Sequence, residues 1–204
     1  QDSKSALCGA VVWEVAVILA KLVAHDALPC LRELAGKRCL ELGSGCGLAG
    51  MALASAGCDV VFTDVPELVP HLQRNVDANV SGQVLAYDWT QGLPKRLAGK
   101  FELLLATDTV YHAHLVDPFL DALNVVDAKT VLLVYERRDP EVLRDFEAKL
   151  KRSFKVKAPA NLKRLRLTVP GLAALLDRKS EDDDHADIGW LAILECKPRR
   201  KHRT

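Results

Sequence analysis

The chain alternates short, continuous apolar runs with segments in which apolar residues recur at helical spacing. Short apolar runs rich in valine and leucine are typical of strands buried in a parallel sheet, whereas the periodic segments are typical of helices. The pattern predicts helices at residues 9–24, 48–56, 66–80, 115–126 and 140–151. It predicts strands at residues 38–42, 59–63, 83–87, 101–106, 130–135, 154–157 and 189–196.

This alternation of strands and helices indicates the α/β class, in the form of a doubly wound, Rossmann-like sheet. We expect one domain over residues 1–204, because no linker or internal repeat interrupts the pattern. The helix at 9–24 is apolar nearly all round, which predicts that it is buried. The last two strands are separated by a long segment that we expect to be irregular, and residues 197–204 form a basic tail.

Composition narrows the possible partners. The 28 basic and 27 acidic side chains nearly cancel, and aromatic residues make up 5% of the chain. Neither value favours a nucleic-acid partner, which needs basic patches or stacking platforms. No apolar run reaches the roughly 20 residues that span a bilayer, and no signal peptide is recognisable. The six cysteines include no C-x-x-C pair. We therefore expect no metal site and no membrane association, and a monomer of the cytoplasm that can also be nuclear.

Two segments of unusual charge leave two interpretations open. Residues 149–166 carry eight basic side chains and no acid, and residues 177–187 carry six acids. Such segments are commonly solvated surface, but they also suit a docking surface for a charged protein partner.

A glycine-rich turn follows the first predicted strand, in the segment Glu-Leu-Gly-Ser-Gly-Cys-Gly at 41–47. Glycines allow a tight turn and close approach of a ligand, and the helix that follows offers free N–H groups. Residues 45–50 also match the G-x-G-x-x-G dinucleotide fingerprint, which keeps a nicotinamide enzyme open. Glu41 disfavours that alternative, because its charge would repel a pyrophosphate but would pair with the ammonium of an amino-acid cofactor.

Polar residues also follow the next strands, where ligands bind in open α/β sheets. Asp64 is placed to accept hydrogen bonds from ribose hydroxyls, or else to cap the next helix. Asp88 and Trp89 follow the third strand, where the indole of Trp89 is placed to cover an adenine ring or to lie near a sulfonium. Asp108 and Tyr111 would line a pocket for a substrate amine.

Taken together in order, these segments closely resemble the seven-β-strand protein-lysine methyltransferases. The resemblance covers roughly residues 9–155 and rests on the segments 9–14, 41–47, 88–89, 108–111 and 135–138 together with Asp64. Segments 9–14, 135–138 and 185–188 look most like the members that modify valosin-containing protein. Cys46 stands where the family usually has threonine, and Thr107 where a smaller alanine is common.

The resemblance implies a seven-stranded sheet with an antiparallel last strand, and S-adenosylmethionine as cofactor with S-adenosylhomocysteine as product. Residues 1–25 would cap the cofactor site, and Asp108 and Tyr111 would line the lysine channel. The acceptor would be a protein lysine in a chaperone, an elongation factor or valosin-containing protein; arginine, histidine, a small molecule or RNA is the alternative. Beside Glu41 and Asp88, the implied cofactor contacts are Trp13, Gly43, Ser44, Gly45, Asp64, Trp89 and Thr107.

Overall fold

A single mixed sheet organises the protein. The computed structural model describes residues 9–177 and 190–199. The strands are β1 (Arg38–Leu42), β2 (Asp59–Asp64), β3 (Gln83–Ala86), β4 (Lys100–Thr107), β5 (Asp127–Glu136), β6 (Phe154–Lys157) and β7 (Leu191–Pro198). Their order in the sheet is β3-β2-β1-β4-β5-β7-β6. Strands β1 to β5 pair in parallel, and β7 is antiparallel to both β5 and β6. This confirms the predicted Rossmann-like sheet of seven strands with an antiparallel last strand.

Helices cover both faces of the sheet. They are α1 (Glu14–Ala24), α2 (Leu48–Ser55), α3 (Val69–Asn79), α4 (Val116–Val125), α5 (Pro140–Ser153), α6 (Leu162–Thr168) and α7 (Leu172–Leu176). The last two lie in the segment that was expected to be irregular, so that expectation is wrong for residues 162–168 and 172–176. Helix α6 begins where the Asn161 side chain accepts a hydrogen bond from the Arg164 N–H, which is a favourable N-cap.

The first helix is shorter and less enclosed than its sequence predicts. It begins at Glu14 rather than at residue 9, because Trp13 has an extended backbone with φ −85° and ψ 148°. Its fully buried residues, Val15, Ile18, Leu19 and Leu22, follow helical spacing and form one stripe. The expectation of a helix buried all round is therefore wrong.

The central strand β4 divides the core into two apolar layers. Leu103 and Leu105 pack with the layer that contains α1, α2 and α3. Leu104 and Ala106 pack with the layer that contains α4 and α5. Successive side chains of a strand point to opposite faces of its sheet, so a strand covered on both faces is apolar throughout.

Parts of the two charged segments lie beyond the described residues. The basic segment runs from the end of α5 through β6 into α6. Of the acidic segment, Asp177 is described, and its carboxylate pairs with Arg166 at 2.8 Å; residues 178–189, the tail from 200 and residues 1–8 lie outside. No helix in the described ranges is long and apolar enough to cross a membrane.

A carboxyl group is enclosed between β1 and α2. Glu41 has no exposed surface, and its Oε1 accepts a hydrogen bond from the Gly50 N–H at 3.1 Å. Its Oε2 is buried without a hydrogen-bond partner in the described ranges, and a Cβ at position 50 would collide with it. Burial raises the pKa of Glu41 to about 8, and the bond from Gly50 acts in the opposite direction. The carboxyl thus faces α2 instead of the surface, and the expected contact of Glu41 with a cofactor ammonium stays a prediction.

Replacing Glu41 by glutamine should change how stability depends on pH. An unperturbed glutamate titrates near 4.5, whereas the folded protein holds the Glu41 proton up to about pH 8. Between those values the folded state binds more protons than the unfolded state, so wild-type stability falls as pH rises through this window. Glu41→Gln removes this titration and should gain stability relative to wild type as pH increases. Urea unfolding of both proteins across the window measures the difference.

The control is Glu67→Gln, which removes an exposed carboxylate at the surface. Its stability difference from wild type should stay nearly constant over the same pH range. Parallel pH profiles for wild type and Glu41→Gln would contradict the assignment of a raised pKa to Glu41.

Candidate functional site

The register of the sheet brings several strand ends to one edge. Leu42, the last residue of β1, lies opposite Thr63 of β2 and Ala106 of β4. The chain leaves all three strands at the same height, so the residues that follow lie side by side. Ligands of open α/β sheets bind at this carboxyl edge.

The glycine-rich turn after β1 fits tightly beneath an aromatic side chain. Gly43 has φ +64°, and a Cβ there would lie 2.9 Å from Thr109 Cγ2 and 3.3 Å from the Trp89 ring. Gly45 has φ +55°, and a Cβ there would lie 3.0 Å from the Gly9 carbonyl oxygen. Side chains at either position would be strained and would fill the space above the turn. The predicted residues Gly43, Gly45 and Trp89 are thus brought together.

Asp64 ties this turn to the end of β2. Its Oδ2 accepts a hydrogen bond from the Gly45 N–H at 2.7 Å, and its Oδ1 accepts one from the Val65 N–H at 2.8 Å. Burial raises the pKa of Asp64, and these two hydrogen bonds oppose the rise. Asp64 does not cap α3, whose N-cap is Leu68. Since a carboxylate oxygen has two acceptor positions, both oxygens keep capacity for a further donor.

Ser44 makes the second link between the turn and β2. Its N–H donates to the Thr63 carbonyl at 2.9 Å, and its hydroxyl accepts from the Thr63 N–H at 3.2 Å. The Thr63 hydroxyl in turn donates to the Glu41 carbonyl at 2.7 Å. These bonds fix the turn before any ligand arrives, which limits the entropy lost on binding.

Asp88 and Trp89 form the wall beside the turn. The Asp88 carboxylate accepts hydrogen bonds from the Thr90 N–H and hydroxyl at 2.9 and 2.7 Å and from the Gln91 amide at 3.1 Å. These contacts hold the short 3₁₀ turn that carries Trp89. The indole packs against Phe119 with ring centroids 5.0 Å apart, and its Nε1 is buried without an acceptor in the described ranges. A buried donor of this kind is costly, so an acceptor on a ligand would be favoured there.

Asp108 follows β4 in a left-handed conformation, with φ +55°. Its N–H donates to the Val134 carbonyl at 2.8 Å, and its Oδ1 accepts from the Glu136 N–H at 3.1 Å. Its Oδ2 pairs with the Arg138 guanidinium. Burial raises the pKa of Asp108, and Arg138 opposes the rise. The carboxylate predicted to receive a substrate amine is therefore already paired with a cation of the protein.

Arg138 joins three parts of the site, which sequence reasoning did not foresee. Besides Asp108, its Nε contacts Glu136 Oε2 at 2.9 Å. Its guanidinium carbon lies 4.6 Å from the centre of the Trp13 ring, in a cation–π arrangement. Segment 135–138 contributed to the family resemblance, but no spacing rule connects residue 138 with residues 13 and 108.

The remaining predicted residues lie around this edge. Thr107 ends β4 opposite Val134 of β5. Tyr111 is 37% exposed and its ring lies against His112, with centroids 4.8 Å apart.

Cys46 links the turn to the N-terminal segment. The Cys46 thiol donates to the Gly9 carbonyl at 3.6 Å and lies 3.7 Å from His71 Nε2. In the part of the chain that the structure describes, no group of three or more histidine, cysteine or acidic residues is arranged to hold a metal ion.

Comparison with known proteins identifies the family. The family model described as lysine methyltransferase matches residues 1–153. Protein N-lysine methyltransferase METTL21A of Mus musculus is 34% identical over 132 residues, covering 62% of this chain and 57% of that protein. Its Danio rerio counterpart is 31% identical over 163 residues, covering 76% of this chain and 73% of that protein. The chain thus spans a little over half the length of its mouse relative.

The fold has solved counterparts at low sequence identity. Magnesium protoporphyrin IX methyltransferase from Synechocystis PCC 6803, solved with bound SAM, superposes with a TM-score of 0.56 at 16% identity. The superposition covers 91% of this chain and 78% of that one, and it bears on the fold alone. The sequence matches carry the assignment further: the chain belongs to the lysine methyltransferase family.

Proposed function

We propose that the protein transfers methyl groups from S-adenosylmethionine to a lysine side chain of a protein substrate. The observation that carries the proposal is the glycine turn, held by Asp64 and covered by Trp89, one strand away from the carboxylate of Asp108. On this proposal, the cofactor would bind at the turn and the substrate amine beside it, at the carboxyl edge of the sheet.

The residues around the turn fit this cofactor. A Cβ at Gly43 or Gly45 would fill space beside the turn that the cofactor needs. The unsatisfied Nε1 of Trp89 offers a donor, and the Asp64 oxygens offer acceptors for ribose hydroxyls. The adenosyl and methionyl portions of S-adenosylmethionine would be held by Asp88, Trp89, Thr107 and the glycine turn, with Trp13 at the outer side.

The chemistry is a displacement in which the lysine nitrogen forms a bond to the methyl carbon as the carbon–sulfur bond breaks. The cofactor supplies the activated methyl group when bound, and its product is S-adenosylhomocysteine. Free lysine has a pKa of about 10.4, so roughly one amine in a few thousand is neutral at pH 7. The protein must therefore attract the ammonium, let a proton pass to water, and hold the amine in line. Asp108 attracts and orients the ammonium, and Tyr111 shapes the entrance.

We propose a folded protein as the acceptor, of the kinds that the family resemblance implies: a chaperone, an elongation factor or valosin-containing protein. The basic segment at 149–166, on α5, β6 and α6, supplies charge that would steer an acidic partner surface. We also propose that the enzyme is a monomer of the cytoplasm or nucleus and that it binds neither a membrane nor a nucleic acid.

To identify the acceptor, the enzyme is incubated with methyl-labelled S-adenosylmethionine and one candidate substrate at a time. The candidates are purified valosin-containing protein, a heat-shock chaperone, elongation factors, total RNA and a metabolite extract. We expect label on a lysine of one of the proteins, located by mass spectrometry. Label confined to RNA or small molecules, or to arginine or histidine, would contradict the proposed acceptor.

Replacing Asp64 by alanine should weaken binding of S-adenosylmethionine. The change removes acceptors for the ribose and releases the Gly45 N–H. Hydrogen bonds to charged groups contribute about 1.5–3 kcal/mol each, so affinity should fall about tenfold or more. Calorimetry on the folded variant measures the effect. The control is Asp59→Ala, an exposed position at the opposite end of β2, which should bind like wild type. Equal affinity of Asp64→Ala and wild type would refute the placement of the cofactor.

Replacing Asp108 by asparagine should reduce methyl transfer while preserving the fold. Asparagine tolerates the left-handed conformation and keeps an oxygen for the Glu136 N–H, but it removes the negative charge. We expect turnover to fall about tenfold or more, since an effect near 1.4 kcal/mol on the barrier suffices for that factor. Initial rates of methyl transfer and thermal unfolding are measured on the same preparations. The control is Asp127→Asn, an exposed position at the start of β5 and so at the opposite edge of the sheet, which should behave as wild type. Wild-type turnover in Asp108→Asn would exclude the assigned role.

A further inference from the structure

A cleft opens at the amino edge of the sheet, at the opposite end of the strands from the candidate functional site. It has a volume of about 430 Å³, which lies within the range of pockets that hold small molecules. Residues at the starts of β1, β4 and β5 line it: Lys37, Arg38, Lys100, Phe101, Glu102, Asp127 and Lys129. We call this the amino-edge cleft. The function proposed above uses none of these side chains.

The register of the sheet brings the charged side chains of the cleft together. The parallel pairing of β1 with β4 and of β4 with β5 aligns Arg38, Glu102 and Lys129 in one row across three strands. Lys100 begins β4 opposite Asp127 of β5. Neighbouring strands lie about 4.8 Å apart, so one small ligand can reach charges on all three.

The cleft has an excess of positive charge. Its four basic and two acidic side chains leave a net charge of +2. Lys129 pairs with Glu102 across the two strands. Within residues 9–177 and 190–199, the side chains of Lys37, Arg38 and Lys100 form no ion pair with an acid. Three cations of one cleft are therefore available to an anion from solution.

The Arg38 side chain is held in position by the core beneath it. Its guanidinium carbon lies 4.3 Å from the centre of the Phe101 ring, in a cation–π contact. Phe101 is buried in the apolar layer that contains α4 and α5, so the ring is a fixed support. A guanidinium that is already positioned loses less side-chain entropy when it binds an anion. The apolar floor also strengthens the field of the charges above it.

We propose that the amino-edge cleft binds a small organic molecule through a phosphate monoester group. Such a group carries about −1.5 to −2 charges at pH 7 and three acceptor oxygens. Its charge matches the net charge of the cleft, and its oxygens match the three available cations. The Arg38 guanidinium donates two parallel hydrogen bonds, and the ammonium groups of Lys37 and Lys100 bind the remaining oxygen. A carboxylate, with one charge and two oxygens, matches less well, and the organic part of the ligand fills the rest of the cleft.

The test is a titration of phosphate esters into the full chain, followed by calorimetry at low ionic strength. The probes are ribose 5-phosphate and phenyl phosphate, and S-adenosylhomocysteine is present in excess so that the cofactor site is closed to them. Ribose and phenol are the matched controls without phosphate and should not bind. We expect at least one phosphate ester to bind tenfold or more tightly than inorganic phosphate. This measurement needs no methyl transfer, so it is independent of the acceptor experiment.

Variants of the cleft locate the binding and give changes of opposite sign. Lys100→Gln removes one of the three available cations, so affinity for the phosphate ester should fall about tenfold, since hydrogen bonds between charged groups are the stronger ones. Glu102→Gln removes an acid and releases Lys129 from its ion pair, so affinity should rise severalfold. Arg38→Lys keeps the charge but loses the two parallel hydrogen bonds, and it should bind more weakly than wild type.

The control for overall charge is Lys155→Gln, which removes an exposed lysine from β6, three strands away from β4 in the sheet. It should bind the phosphate ester like wild type. Lys100 is exposed, so its replacement leaves the core intact, and thermal unfolding of each variant verifies the fold. Equal losses of affinity in Lys100→Gln and Lys155→Gln would show attraction to the whole protein and overturn the proposal. Binding of inorganic phosphate as tightly as both esters, or of none of the three, would overturn it as well.

Discussion

The parallel pairing of β1 with β2 and β4 is the constraint on which the rest of the site depends. Leu42 lies opposite both Thr63 and Ala106, so three chain segments leave the sheet at one height. A shift of one residue would exchange the faces of a strand and place apolar side chains against the wrong layer. The close packing of both core layers against the side chains of β4 opposes such a shift. The apolar interior thus fixes the position of the polar site.

Much of the fold follows from the sequence because strands buried on both faces leave a strong pattern. The run around residues 101–106 has a single polar side chain, and it became the central strand. Helices α6 and α7 were missed for the opposite reason. They are short, and α6 buries Leu165 among basic side chains, so its charge concealed a weak helical period. The N-cap residue Asn161 was the signal that could have revealed it.

The site divides in the same way between what sequence can and cannot predict. Residues such as Asp64 and Asp88 were identifiable because a strand end followed by an acid has a fixed place in an α/β sheet. The orientation of Glu41 was not, since strand alternation gives the face but not which neighbour receives the carboxyl. Its contact with Gly50 depends on the position of α2. The contacts of Arg138 join three segments distant in sequence, and only the folded chain shows that Arg138 lies over Trp13 and pairs with Asp108.

The pairing of Asp108 with Arg138 also bears on how a lysine becomes reactive in the proposed reaction. A carboxylate alone would bind an ammonium well but would hold its proton, because nearby negative charge raises the pKa of an amine. The Arg138 guanidinium beside Asp108 offsets this effect, since arginine remains charged at any physiological pH. The ion pair therefore matters more to the proposed role of Asp108 than its carboxylate alone, because the pair attracts the ammonium without fixing its proton.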